Sequence, residues 1–599
     1  MIQLLTDVLQ VSTISPRNDA GLSSPCWVIQ QQSSHDEDLA LSYASAVDAT
    51  EQHVEALRMA LSLFPRNQKE TTIVYLCSNS LDFALSILAA SKVATCDHTT
   101  SSNDLKRKLS APALLNTRWV VSEMVAALQP AENILLVYGV NWKERARKLT
   151  AKLLQKRRES RLSSAHVHSI PLPTFGSQLL EPLSNFRTIL QSAQQSSLDT
   201  LSDLSLLQLS SSCSSNDAVL VFTSGTTSTA KGVCLSHRAL LVQAAAKVAA
   251  PCGYCFQTRI LATTVPFFHV GGLSSLLAVW MAGGALVEPS PESTRNGSVG
   301  FDPLSVWQSL SHNSWGSNTL VVVPAMVHAL QQCQGPRQSY MHVDLVLVGG
   351  QSLSERQRTF LRQSFPSARI VQTFACTEAA SSLTFLDVTK EDDLPLQSPD
   401  APPGVCVGTA PSHIQIQLFP EERTRNTPIP FKPFQPGLIG TRGSHVMNGY
   451  WKQPKRSPNE WYVTSDIGYY DSAGRLYFCG RQTDTIRTGG ETVWATEVEQ
   501  VLQRHDLIDE VAVLGVNDDR FGETVACAIV LKESASSESA RDDVTLTKLR
   551  QWCTAQGLAS FKHPRRLVIV SSLPRNSSGK ILKHHLKNRF DIVPPSSRL

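Results

Sequence analysis

An α/β fold is what this chain predicts: a large N-terminal unit of mostly parallel sheet with flanking helices, joined by a hinge to a small α+β unit. Three observations predict it. Short apolar runs rich in β-branched residues recur, and several are followed by helical patterns. Strands covered on both faces read as such continuous runs, and their alternation with helices marks a parallel sheet. The chain has 599 residues, too many for one core. Near residue 480, in "GRQTDTIRTGGETV", the character changes and about 120 residues of compact α+β pattern follow. The boundary is placed between 480 and 481, giving units of 1–480 and 481–599.

The elements follow in order. The run at 72–77 reads as a buried strand, and 81–93 as a helix behind it. "ILLVYG" at 134–139 is another buried strand. Residues 143–161 carry nine basic and two acidic side chains and read as a solvated helix. The Ser- and Gln-rich stretch 192–216 reads as an exposed connection. Further strands are expected at "DAVLVFTS", "LATTVPF", "TLVVVPA" and "DLVLVGG". Pro-rich segments at 394–404 and 428–436 read as surface crossings.

Composition narrows the function. Hydrophobic residues make up 42% and charged residues 18%, an ordinary globular balance. A net charge of +4 is too small to argue for nucleic acid. The apolar run at 276–287 is shorter than the ~20 residues of a membrane span. The 13 cysteines are odd in number and scattered, which points to a reducing compartment. "PCGYC" has no second pair for zinc and reads as a chance C-x-x-C. The first residues lack the basic region of a secretory signal. The chain ends in Ser597-Arg598-Leu599, a variant of the S-K-L address read by the peroxisomal import receptor. Plastid import is the alternative destination.

Chemistry enters with "VFTSGTTSTAKGVC" at 221–234. Four Thr, two Ser and Gly225 precede Lys231. Small residues let backbone N–H groups approach an anion, hydroxyls donate to it, and Lys adds charge. The spacing is not that of G-x-x-x-x-G-K-[ST], and a polar surface turn is the alternative. Four further stretches stand far apart. "QTFACTEAASSLTF" at 372–385 brings Phe374, Thr377 and Glu378; the carboxylate suits Mg²⁺ beside a phosphate loop, or else a helix N-terminus. Asp466, after a strand in "WYVTSDIGYY", can take ribose hydroxyls or close an Asx turn. "IRTGGETV" is a glycine turn between units. In "LPRNSSGKILK", Lys580 suits an anion, or is a solvated lysine.

Taken together, these stretches resemble the adenylate-forming superfamily of acyl- and aryl-CoA ligases, luciferases and peptide-synthetase adenylation domains, from near residue 41 to 586. The resemblance implies an acid–thiol ligase that uses ATP and Mg²⁺, with CoA as co-substrate. It makes 223–232 the loop for the β- and γ-phosphates, with Thr223, Ser224, Gly225, Thr226, Thr227 and Lys231 as its contacts. His269, in "PFFHVGGL", would border the acyl pocket and the CoA tunnel. Gly349, Gly350 and Gln351 would line the adenine and acyl pocket, with Phe374 against adenine. Thr377 would touch phosphate and Glu378 would bind Mg²⁺. Asp466 and Arg481 would grip the ribose, and 482–484 would be the hinge. Gly489 and Gly490 would face the CoA channel. Lys580 would contact the carboxylate and α-phosphate.

The chain departs from the family pattern at Ser228 and Ala230, where Gly and Pro are usual, at "FACTE", and at Ser465 before Asp466. None removes a charged group. A luciferase-like oxygenase shares every motif. A peptide-synthetase domain is disfavoured because no carrier segment follows Lys580, and a non-catalytic nucleotide-binding homologue would tolerate the altered loop. Within the ligases, "LLNTRWVVSEM" and "CTEAASSLTF" resemble plant-type o-succinylbenzoate–CoA ligases of phylloquinone and menaquinone biosynthesis. Peroxisomal 4-coumarate-like or fatty acyl-CoA ligases are the alternative. Ser381, Ser382 and Thr384 would offer hydroxyls to a second substrate carboxylate, unless the serines cap or pack a helix. Arg118 or His269 would add positive charge, although no sequence argument places them.

Overall fold

The computed structural model describes residues 25–29, 39–62, 64, 70–96, 109–160, 166–179, 181–182, 215–223, 230–289, 301–311, 316–333, 339–390, 401–421, 427–532, 544–575 and 581–591. Among them, four sheets of seven, nine, five and five strands are formed.

In the seven-stranded sheet, Thr71–Leu76 lies between Ala113–Leu114 and Asn133–Tyr138, all parallel. Its side chains alternate between two cores. Ile73 and Tyr75 face a cluster shared with the nine-stranded sheet, whereas Val74 and Leu76 face the helices Val121–Ala127 and Lys143–Glu159. Both faces are therefore apolar, and the run carries no polar alternation. The expected helix forms as Lys143–Glu159, but it is amphipathic rather than wholly solvated, burying Ala146, Leu149, Leu153 and Arg157 and leaving most of its basic residues outside.

The nine-stranded sheet carries a parallel block built on Ala285–Glu288, Arg259–Leu261, Thr319–Val322, Leu345–Val348 and Arg369–Cys376. Helices Tyr43–Leu61, Leu81–Cys96, His237–Val248 and Val270–Met281 fill the space between the two large sheets. The last two are buried almost all round.

Two sequence expectations need correction. The strand expected across "LATTVPF" stops at Leu261. Beyond it Asn79 holds a turn, donating to the carbonyls of Ala262 and Val265 and accepting from Phe267 N–H. The Thr/Ser loop follows a strand and joins it to an antiparallel neighbour, Asp217–Thr223 to Lys231–Ser236, with Thr223 opposite Lys231. Asp466 does not follow a strand but lies inside Tyr462–Tyr470. That strand belongs to a five-stranded antiparallel sheet spanning 405–481, which the sequence reading left undescribed. Its glycines and short alternating segments hide the strand period.

A smaller unit follows. Ile508–Asp518 and Gly522–Leu531 form a long hairpin flanked by Thr485–Thr488, Glu491–Trp494 and Arg566–Ile569, with apolar clusters of its own. It meets the larger unit through partly exposed ion pairs, Asp509 with Arg356 and His328, and Arg487 with Glu421. Such pairs contribute little each.

Candidate active site

The carboxyl ends of the parallel strands gather the predicted residues. After Leu345–Val348 comes the Gly349-Gly350 turn, with Gly350 at φ +88°, a conformation glycine adopts at no steric cost. A side chain at Gly349 would touch Thr373 of the next strand. Phe374 lies on that strand, its ring centroid 5.7 Å from that of Phe478.

Strand Arg369–Cys376 ends in a single 3-10 turn, Thr377–Ala379, which carries Glu378. Ala380 closes the turn at φ 57°, left-handed backbone that costs a non-glycine residue about 1–2 kcal/mol. Gln243 holds it there. Its Nε2 donates to the carbonyls of Ala379 and Ser382, and its Oε1 accepts from Ser382 N–H. Met447 N–H donates to the Glu378 carbonyl at 2.8 Å. The carboxylate itself accepts from the Tyr450 hydroxyl at 3.0 Å.

Tyr450 ties this turn to the phosphate-loop hairpin. Gly449–Tyr450 pairs with Lys231–Ser236, and the Lys231 ammonium sits 5.2 Å from the centre of the Tyr450 ring. Burial and the Glu378 charge push the Tyr450 phenol up to about 12, so it remains a donor. Thr223 and Lys231 thus stand at the neck of the loop. Ser224, Gly225, Thr226, Thr227 and Ser228 lie outside the described residues.

Asp466 and Arg481 are partners in adjacent antiparallel strands and form an ion pair, with Arg481 Nε 3.1 Å from Asp466 Oδ1. Asp466 N–H donates to Thr464 Oγ1. The Cys376 thiol registers the convergence of these charges. Burial holds it well above its usual value, the Glu378 and Asp466 carboxylates add to the rise, and Arg481 opposes them. Asp466 and Arg481 pair on adjacent strands, and their charges and that of Glu378 are all felt at the Cys376 thiol. Among the described residues no three His, Cys, Asp or Glu gather to hold a metal, so Glu378 offers one carboxylate that needs oxygens from a ligand to complete a shell.

His269 caps the helix Val270–Met281 at the end of the turn fixed by Asn79. Its Nε2 is buried without a hydrogen-bond partner. Burial and the nearby positive charge of Arg118 lower its pKa to about 4, so the ring is neutral near pH 7. Arg118 and His269 are thereby neighbours.

Ser381, Ser382 and Thr384 sit on strand Ser381–Asp387, so the serines cap no helix, but both pack against helices, Ser381 through Lys247 and Ser274 and Ser382 through Gln243. Their role as three free hydroxyls needs correction. Thr384 Oγ1 donates to the Val407 carbonyl, and Ser381 Oγ accepts from Lys247 and Ser274. Gly489 and Gly490 turn between Thr485–Thr488 and Glu491–Trp494, with open space at Gly490; no described contact joins them to the residues above. Lys580 and Ser597-Arg598-Leu599 lie outside the described residues. An apolar groove of about 820 Å³ lined by Ala56, Met59, Ile170 and Phe175 contains none of the predicted residues.

Sequence reasoning missed Tyr450, Gln243, Asn79 and Lys247. "NGYW" reads as a turn, and the other three lie in or beside apolar helices, with only a polar residue out of place as a signal.

Residues 29–451 match the AMP-binding enzyme family, and residues 497–580 match the AMP-binding enzyme C-terminal domain. The chain is 33% identical over 412 residues to 2-succinylbenzoate–CoA ligase, chloroplastic/peroxisomal, of Arabidopsis thaliana, covering 64% of this chain and 70% of that one. Its fold is similar to o-succinylbenzoate CoA synthetase of Bacillus subtilis. The complex of that enzyme with its acyl-adenylate intermediate gives a TM-score of 0.67 at 20% identity, over 98% of this chain and 99% of that one. Its complex with ATP and magnesium gives 0.65 at 20% identity, over 98% of both.

Proposed function

The chain belongs to the AMP-binding enzyme family, and from that premise we propose that it joins o-succinylbenzoate to coenzyme A through an acyl-adenylate. The observation that carries the reading is the link from Lys231 at the loop neck through Tyr450 to Glu378, with Asp466 and Arg481 paired on adjacent strands. The relative of that name supports the choice of acid.

Each half-reaction asks something of these residues. In the first, a substrate carboxylate oxygen bonds to the α-phosphorus of ATP and pyrophosphate leaves. Lys231 and the loop 223–232 hold the β- and γ-phosphates. Asp466 and Arg481 take the ribose, exchanging part of their mutual contact for its hydroxyls. Phe374 covers the adenine, beside Gly349, Gly350 and Gln351. Thr377 donates to phosphate and Glu378 holds Mg²⁺, which supplies positive charge to the phosphoryl oxygens when bound. Lys580 faces the carboxylate and α-phosphate. In the second half, the CoA sulfur bonds to the acyl carbon, AMP leaves, and the thiol proton goes to solvent. His269, neutral and buried, shapes the acyl end of the path. Gly489 and Gly490 face CoA once the C-terminal unit has turned about 482–484. The name of the Arabidopsis relative supports placing this chain in peroxisomes or plastids.

The test offers o-succinylbenzoate, 4-coumarate, benzoate and a medium-chain fatty acid with ATP, Mg²⁺ and CoA. The reading predicts the highest kcat/KM for o-succinylbenzoate. A higher value for any other acid rejects that choice and leaves the ligase.

A further inference from the structure

Helix His237–Val248 is buried almost throughout, and Lys247 within it is 1% exposed. Its Nζ donates to Ser274 Oγ at 2.6 Å and to Ser381 Oγ at 3.2 Å, and the two hydroxyls lie 3.0 Å apart. Among the described residues no carboxylate pairs with it. Two neutral hydroxyls do not offset the desolvation of an ammonium, and burial lowers its pKa to about 8. Position adds the second half of the argument. Ser274 is five residues beyond His269 on the same helix, and Ser381 is three beyond Glu378. The ammonium therefore lies between the two segments that border the acyl end of the site.

We propose that Lys247, with the hydroxyls of Ser274 and Ser381, receives the second carboxylate of a dicarboxylic acid substrate. One ammonium and two hydroxyls match the lone pairs of a carboxylate, and the anion supplies the charge that the buried cation lacks. Lys247 is on this account a specificity-determining residue. The proposal rests on the acid–thiol ligase reading and names the group that selects the acid.

Two acids that differ by one carboxylate test it: o-succinylbenzoate and 3-benzoylpropionate, each with ATP, Mg²⁺ and CoA. The intact protein prefers the diacid by about 100-fold in kcat/KM, the scale of a lost buried charge pair. Lys247→Met abolishes that preference, raising KM for the diacid far more than for the monoacid. Should the Met variant not fold, Ser274→Ala carries the test, with the same selective loss of about five- to ten-fold from one removed hydrogen bond. A preference that survives Lys247→Met, or an equal loss for both acids, overturns the proposal alone. An intact protein that makes thioester from other acids but from neither of these overturns the substrate reading and the proposal with it.

Discussion

Lys580→Ala is expected to slow adenylate formation by about 10³-fold while sparing thioester formation from presynthesised acyl-adenylate to within a few-fold. The first half-reaction builds negative charge at the α-phosphate, and a donor aimed at developing charge is worth about 10²–10³ in rate. Lys580 directly precedes Ile581, which bridges Arg575, and Arg575 is in turn paired with Glu510 on the long hairpin. The C-terminal unit thus has a fixed point from which to present the lysine. On the proposed reading the C-terminal unit turns about 482–484 between the two halves, and the second half-reaction then has no need of Lys580. Adenylation is measured by acid-dependent exchange of pyrophosphate into ATP, and the second half by thioester released from added adenylate. Equal loss of both halves would contradict a unit that changes its role between them.

Glu378→Gln is expected to lower kcat/KM for MgATP by about 100-fold and to raise the Mg²⁺ concentration needed for half-maximal rate. The amide keeps shape and can still accept from Tyr450, so the melting temperature should hold. The charge that attracts a divalent cation is gone, and no cluster of three or more His, Cys, Asp or Glu exists among the described residues to replace it. Tyr450→Phe is the companion variant. It removes one hydrogen bond to a charged group, worth about 1.5–3 kcal/mol, and should cost about ten-fold with the same sign in Mg²⁺ dependence. An unaltered Mg²⁺ requirement in Glu378→Gln would remove the metal from this carboxylate.

The parallel sheets were legible because runs such as 73–77 and 134–139 carry no charged residue and no polar alternation, as burial on both faces demands. The antiparallel sheet over 405–481 was not. Its strands are short, broken by Gly437, Gly440 and Gly468, and packed on faces that vary in polarity. Glu378, Asp466 and Arg481 were legible as charges in motif positions, and the structure pairs Asp466 with Arg481 and Glu378 with Tyr450. What held them was not legible. Gln243 acts on a turn 136 residues away in sequence, and Tyr450 reaches Glu378 across 72. No local pattern encodes such distant contacts. The three hydroxyls at 381–384 looked equivalent in the sequence; strand geometry gives Ser381 to a buried cation and Thr384 to a backbone carbonyl.

The central claim is that this site couples ATP cleavage to thioester formation through an adenylate. The direct measurement is the product balance of the purified chain with o-succinylbenzoate, ATP, Mg²⁺ and CoA. The account predicts one AMP and one pyrophosphate for each thioester formed, and pyrophosphate exchange into ATP when CoA is withheld. Release of ADP, or no acid-dependent AMP with any acid in the panel, would contradict it.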